Sequence, residues 1–121
     1  MNEKVLVVDD QDAVRDVIRL TLEAAGYVVL QAATPLAAIA LARADDAIDL
    51  LVTDVVMPEM DAFELAQRIT AEVPGVLVLY TSGYTDAAAE GPFIGKPFSP
   101  AELVAKVRSV IESGRLAPRA S

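Results

Sequence analysis

The chain has 121 residues, enough for one domain that buries roughly two-thirds of its unfolded surface without covalent staples. It holds no cysteine and no histidine, which excludes disulfides, thiolate or imidazole metal sites and Ser-His-Asp catalysis, and leaves oxygen-bound Mg²⁺, Mn²⁺ or Ca²⁺ as candidate metals. The formal charge is −8 with ten scattered Lys and Arg, which argues against binding nucleic acid. No apolar run approaches the roughly 20 residues of a membrane span, and Met1 to Lys4 do not open a signal peptide. A reducing cytoplasm without direct membrane contact is therefore the expected location.

Val5 to Val8 is a continuous apolar run, as in a strand buried on both faces. Asp12 could cap the helix that follows, in which Val14, Val17, Ile18, Leu22 and Ala25 keep a 3.6-residue period. Gly26 suits the position just past that helix. Tyr27 to Leu30 reads as a second strand. Thr34-Pro35 then supplies a cap and a first-turn proline for an alanine-rich helix from Leu36 to Ala44. Leu50 to Thr53 is a third strand, Pro58 to Asp61 a loop, and Phe63 to Glu72 a helix broken by Pro74-Gly75. Val76 to Thr81 is a fourth strand and Phe93 to Gly95 a short fifth. Ser99-Pro100-Ala101-Glu102 has the form of a capping box. The last helix carries Leu103, Val104, Val107, Val110 and Ile111, and Gly114 is expected to close it. Residues 1–113 thus form the domain and 114–121 a tail.

Strands alternating with helices imply a parallel sheet covered on both faces, with its ligand site at the carboxyl ends of the strands. Four apolar runs end there in chemically useful groups: Asp9 and Asp10, Asp54, Ser82, and Lys96. Three carboxylates so close would raise one another's pKa unless a cation joined them. Asp10 and Asp54 are candidate direct ligands of Mg²⁺, and Asp9 a ligand through water. Asp54 is also a candidate nucleophile toward phosphorus. Lys96 would pair with the carboxylate and then with a phosphoryl oxygen, and Ser82 would donate to another. A cis Lys96-Pro97 bond could aim the lysine inward.

At these residues the chain resembles the receiver domains of bacterial two-component response regulators. The likeness runs from about Lys4 to Ile111 and rests on VLVVDD (5–10), LLVTDVVMPEMDAFEL (50–65), VLVLYTSGY (76–84) and FIGKPFSPAEL (93–103). It implies a flavodoxin-like, doubly wound five-stranded parallel sheet of order 2-1-3-4-5. It makes Asp54 the phosphorylated residue and places Asp9, Asp10 and the Val56 carbonyl around Mg²⁺ or Mn²⁺. Ser82 and Phe93 fall at switch positions. The implied partner is a sensor histidine kinase or a histidine phosphotransfer protein docking beside the first helix. The phrasing around Ser82 and Lys96 is similar to receivers fused to hybrid sensor kinases.

Two departures stand out. Ala62 occupies a position where receivers often carry glycine, and a positive φ there would cost stability. Phe93 follows Ser82 by only eleven positions, so the fourth helix of the family is expected to be absent or reduced to one turn around Thr85 to Glu90. Because receivers that dimerise usually do so through that region, a monomer is expected. Bland readings stand beside these: Phe93 as a plain core aromatic, Tyr84 as a surface cap, and Arg15 and Arg19 as a solvated face. A phosphorylation-independent pseudo-receiver is the main functional alternative. A haloacid-dehalogenase-like phosphohydrolase, suggested by Asp10-Gln11-Asp12, lacks a later acidic motif.

Overall fold

A computed structural model describes residues 3–83 and 92–116, with side chains through Gly114. The elements run β1 (Lys4–Val8), α1 (Asp12–Ala24), β2 (Val28–Ala32), α2 (Pro35–Ala44), β3 (Leu50–Asp54), α3 (Ala62–Glu72), β4 (Leu77–Ser82), β5 (Phe93–Gly95) and α4 (Pro100–Leu116). All strand pairs are parallel and the sheet order is β2-β1-β3-β4-β5, as expected. The expected one-turn remnant at Thr85 to Glu90, and Tyr84 beside it, lie outside the described residues.

The sheet divides the core into two layers. Leu6, Val8 and Leu51 pack under α2 and α3 with Ala38, Ile39, Leu65 and Ile69. Val5, Val7, Leu50, Val52 and Leu79 pack under α1 and α4 with Ile18, Leu22, Leu103 and Val107. Alternate residues of each strand serve opposite layers, which is why these runs carry no polar residue until their carboxyl ends.

Most local signals act as their chemistry requires. The Thr34 hydroxyl accepts a hydrogen bond from Ala37 N at 3.1 Å. Gly26 takes φ 100° beyond α1. Ser99 N donates to Glu102 Oε1 at 2.8 Å and Glu102 N donates to Ser99 Oγ at 3.1 Å, which is the reciprocal capping box.

Several expectations need correction. Asp12 is the first residue of α1, and Gln11 takes the cap position. Asp9 instead receives Gln11 N on Oδ1, so the turn is fastened from the strand side. Gly114 does not end α4, which continues to Leu116. A Cβ at Gly114 would run into the Leu77 side chain, so close packing on β4 accounts for the glycine. Ala62 carries no strain: it begins α3, is fully buried, and no described non-glycine residue has positive φ. Val17 follows the helical period but is 54% exposed, at the edge of the apolar stripe.

Candidate functional site

The carboxyl ends of β1, β3, β4 and β5 bring the expected groups together. Parallel register sets the level of each: Val8 pairs with Thr53, Asp54 with Thr81, and Ser82 with Gly95. Asp9 leaves β1 with its backbone N–H on Ala32 O, and Lys96 leaves β5 with its N–H on Ser82 O at 2.7 Å. The Lys96-Pro97 bond is cis. Lys96 Nζ lies 3.1 Å from Asp9 Oδ2 and 3.6 Å from Asp54 Oδ2.

Most of the site is buried. Asp9 and Ser82 are fully buried and Asp54 is 8% exposed, whereas Asp10 faces solvent. Burial raises the pKa of Asp54 above its ordinary value. Lys96 opposes that rise, Asp9 adds to it, the Val56 N–H opposes it, and Asp10 adds again. That N–H reaches Asp54 Oδ1 at a long 3.4 Å. Asp54 is thus a carboxylate on the rim of a low-dielectric site, short of hydrogen bonds and beside one ammonium.

Carboxylate oxygens of Asp9, Asp10 and Asp54 can all lie within 4.8 Å of one another. Octahedral Mg²⁺ holds oxygens at about 2.1 Å, which places them roughly 3–4 Å apart, so the cluster needs only a small closure to share one ion. The donor set is all oxygen, as a hard cation requires. Val56 is half exposed beside this cluster, two residues beyond Asp54, where its carbonyl could join the set. Phe93 is half-buried, pairs with Tyr80 across β4–β5, and lies at the sheet edge rather than among the carboxylates.

Arg15 was expected on a solvated face but is not there. Its side chain is 14% exposed, its Nη1 donates to the Asp9 carbonyl at 2.8 Å, and its Nη2 pairs with Asp12 at 2.6 Å. Helical side chains lean toward the amino end, so a long cation in the first turn after an acidic strand end can reach back to it. That spacing was the available signal. Asp12 is engaged by that pair, and its side chain is 82% exposed.

The sequence model described as "Response regulator receiver domain" matches residues 5–108. The phosphate regulon transcriptional regulatory protein PhoB of Pseudomonas aeruginosa is 34% identical over 92% of this chain and 52% of its own length. The sensor kinase CckA of Brucella abortus is 34% identical over 89% of this chain and 12% of its own length. The chain spans about half the length of the curated transcriptional regulators it matches. The crystal structure of the receiver domain from hybrid histidine kinase CckA superposes with a TM-score of 0.81 at 34% identity, covering 89% of this chain and 98% of that one. A CheY-like receiver domain from Methanospirillum hungatei JF-1 gives a TM-score of 0.84 at 26% identity, covering 95% and 98%. With the family's sheet order, the acidic cluster and the lysine already in place, these matches settle the assignment: the chain belongs to the response regulator receiver domain family.

Proposed function

We propose that Asp54 accepts a phosphoryl group from a phosphohistidine in a Mg²⁺-dependent reaction, and that the phosphorylated domain changes its contacts with partners. The observation that carries this is the placement of Asp54 at the end of β3. It is nearly buried, 3.6 Å from Lys96, and within a cluster of two further carboxylates. Asp54 Oδ attacks phosphorus, the P–N bond breaks, and its electron pair returns to the imidazole of the donor. Asp9, Asp10, Asp54 and the Val56 carbonyl would hold Mg²⁺ or Mn²⁺, which supplies positive charge to the phosphoryl oxygens when bound. Lys96, held by Asp9, supplies a second positive charge. The buried Ser82 donates to a third oxygen and couples the new charge to the end of β4, with Phe93 as the neighbouring aromatic that repacks.

The donor is a sensor histidine kinase or a histidine phosphotransfer protein that meets the α1 side of the site. The domain acts as a monomer in a reducing cytoplasm and does not bind nucleic acid. Among the described residues no helix is long and apolar enough to cross a membrane.

Transfer from a histidine phosphotransfer protein carrying labelled phosphate tests this. Label should pass to the wild type only with Mg²⁺, and not to Asp54→Ala. A partner that binds wild type and Asp54→Ala equally, with no label transferred, would favour the pseudo-receiver.

A further inference from the structure

Thr81 is 1% exposed, and its Oγ1 has no hydrogen-bond partner among the described residues. A buried hydroxyl that has lost water without gaining a partner is destabilising, so its position calls for a physical account. Thr81 lies on β4, between Asp54 of β3 and Ile94 of β5 at the same register. Val52 and Leu79, two residues earlier, both pack in the α1–α4 layer, so alternation puts Asp54 and Thr81 on that same face. Neighbouring strands are about 4.8 Å apart, so the two side chains are direct cross-strand neighbours on that face. The carboxylate is itself under-bonded. Its contacts to the Val56 N–H at 3.4 Å and to Lys96 at 3.6 Å both exceed the roughly 2.7–2.9 Å of a strong charge-assisted bond. An unused donor and an incomplete acceptor therefore stand side by side, and Lys96 is held closer to Asp9 than to Asp54.

We propose that Thr81 is a positioning residue for loss of the phosphoryl group, donating its O–H to the Asp54 carboxylate as that group departs. The inference rests on Asp54 being the acceptor. In hydrolysis a water oxygen bonds to phosphorus and the P–Oδ bond breaks. The electron pair returns to the carboxylate, and both protons of the water leave with inorganic phosphate. In a loose transition state much of that charge already sits on the leaving oxygen. A donor aimed there favours the charged carboxylate over the neutral acyl carbonyl, so it speeds release and shortens the life of the phosphorylated state. Before phosphorylation the hydroxyl has no partner among the described residues, so on this proposal it carries a cost in folding and a benefit in turnover.

Those two effects have opposite signs, which separates this role from a structural one. Wild type, Thr81→Val and Thr81→Ser are phosphorylated with acetyl phosphate and Mg²⁺, the donor is removed, and loss of the adduct is followed by intact mass. The isosteric Thr81→Val should lose phosphate about fivefold more slowly, as expected for part of one hydrogen bond to a charged group. Its unphosphorylated Tm should equal or exceed that of the parent. Thr81→Ser should restore a decay rate within about twofold of wild type. Thr81→Ala provides the same kinetic comparison where Thr81→Val does not fold. Parental or faster decay in the hydroxyl-less variants overturns the inference and leaves Asp54 as acceptor. A lowered Tm with unchanged decay does the same, and identifies an internal water as the partner of the hydroxyl. A well-folded wild type that gains no adduct overturns both.

Discussion

Burial raises the pKa of Asp54, with Lys96 pulling the other way and the neighbouring carboxylates adding to the rise. A carboxyl whose folded pKa lies above its unfolded value stabilises the fold fully below the unfolded value, near 3.8, and loses that contribution as pH rises through the folded value. Metal-free protein therefore carries a destabilising charge at neutral pH. In chelator at pH 7, Asp54→Asn should melt above the wild type, and the gap should close as pH falls through the raised folded value and be gone by about 3.8. A less stable Asp54→Asn at pH 7 would contradict this. Val56 bears on the same site from its exposed position and has no group that can orient water. Val56→Asn and Val56→Glu should lose phosphate faster than the parent, by on the order of tenfold, in a desalting and decay assay. Equal or slower loss would count against the placement of Val56 beside the attacking water.

At the scale of the elements, the helix caps are local devices that single substitutions test. The Ser99–Glu102 box starts α4 directly after Lys96-Pro97, so it helps place the end of the strand that carries the lysine. Ser99→Ala should cost about 1 kcal/mol in urea unfolding, and Ser99→Gly less. The hydrogen bonds from Ser99 hold the pKa of Glu102 below its ordinary 4.5. A depressed carboxyl stabilises above its unfolded value and ceases to as pH falls through the folded one, so the deficit of Glu102→Ala should shrink below pH 4.5. Such caps are legible because each depends on neighbours a few residues away. Asp54 and Lys96 were legible for a related reason, as polar residues ending runs that sheet burial keeps apolar. Gly114 was misread because its reason is Leu77 of β4, far away in sequence. Arg15 and Thr81 were missed likewise. An arginine on a helix reads as solvated, and a threonine in a strand reads as ordinary β preference. Only the partner of the first, and the lack of one for the second, reveals them.

For the whole molecule, a net charge of −8 is concentrated in part at one edge of the sheet, where three carboxylates face one ammonium. A divalent cation bound only by the folded state stabilises by mass action, about 2.7 kcal/mol at 100 times Kd. The wild-type Tm should therefore climb with the logarithm of Mg²⁺ concentration, by on the order of 10 °C over that range. Asp9→Asn combined with Asp10→Asn should abolish the climb, and an equal climb in that variant would place the ion elsewhere. The measurement that most directly tests the central claim is intact mass after incubation with acetyl phosphate, with and without Mg²⁺, on wild type and Asp54→Ala. A single Mg²⁺-dependent phosphoryl adduct on the wild type alone is the predicted result. An adduct of equal yield on Asp54→Ala, or none on well-folded wild type with Mg²⁺ present, would contradict it.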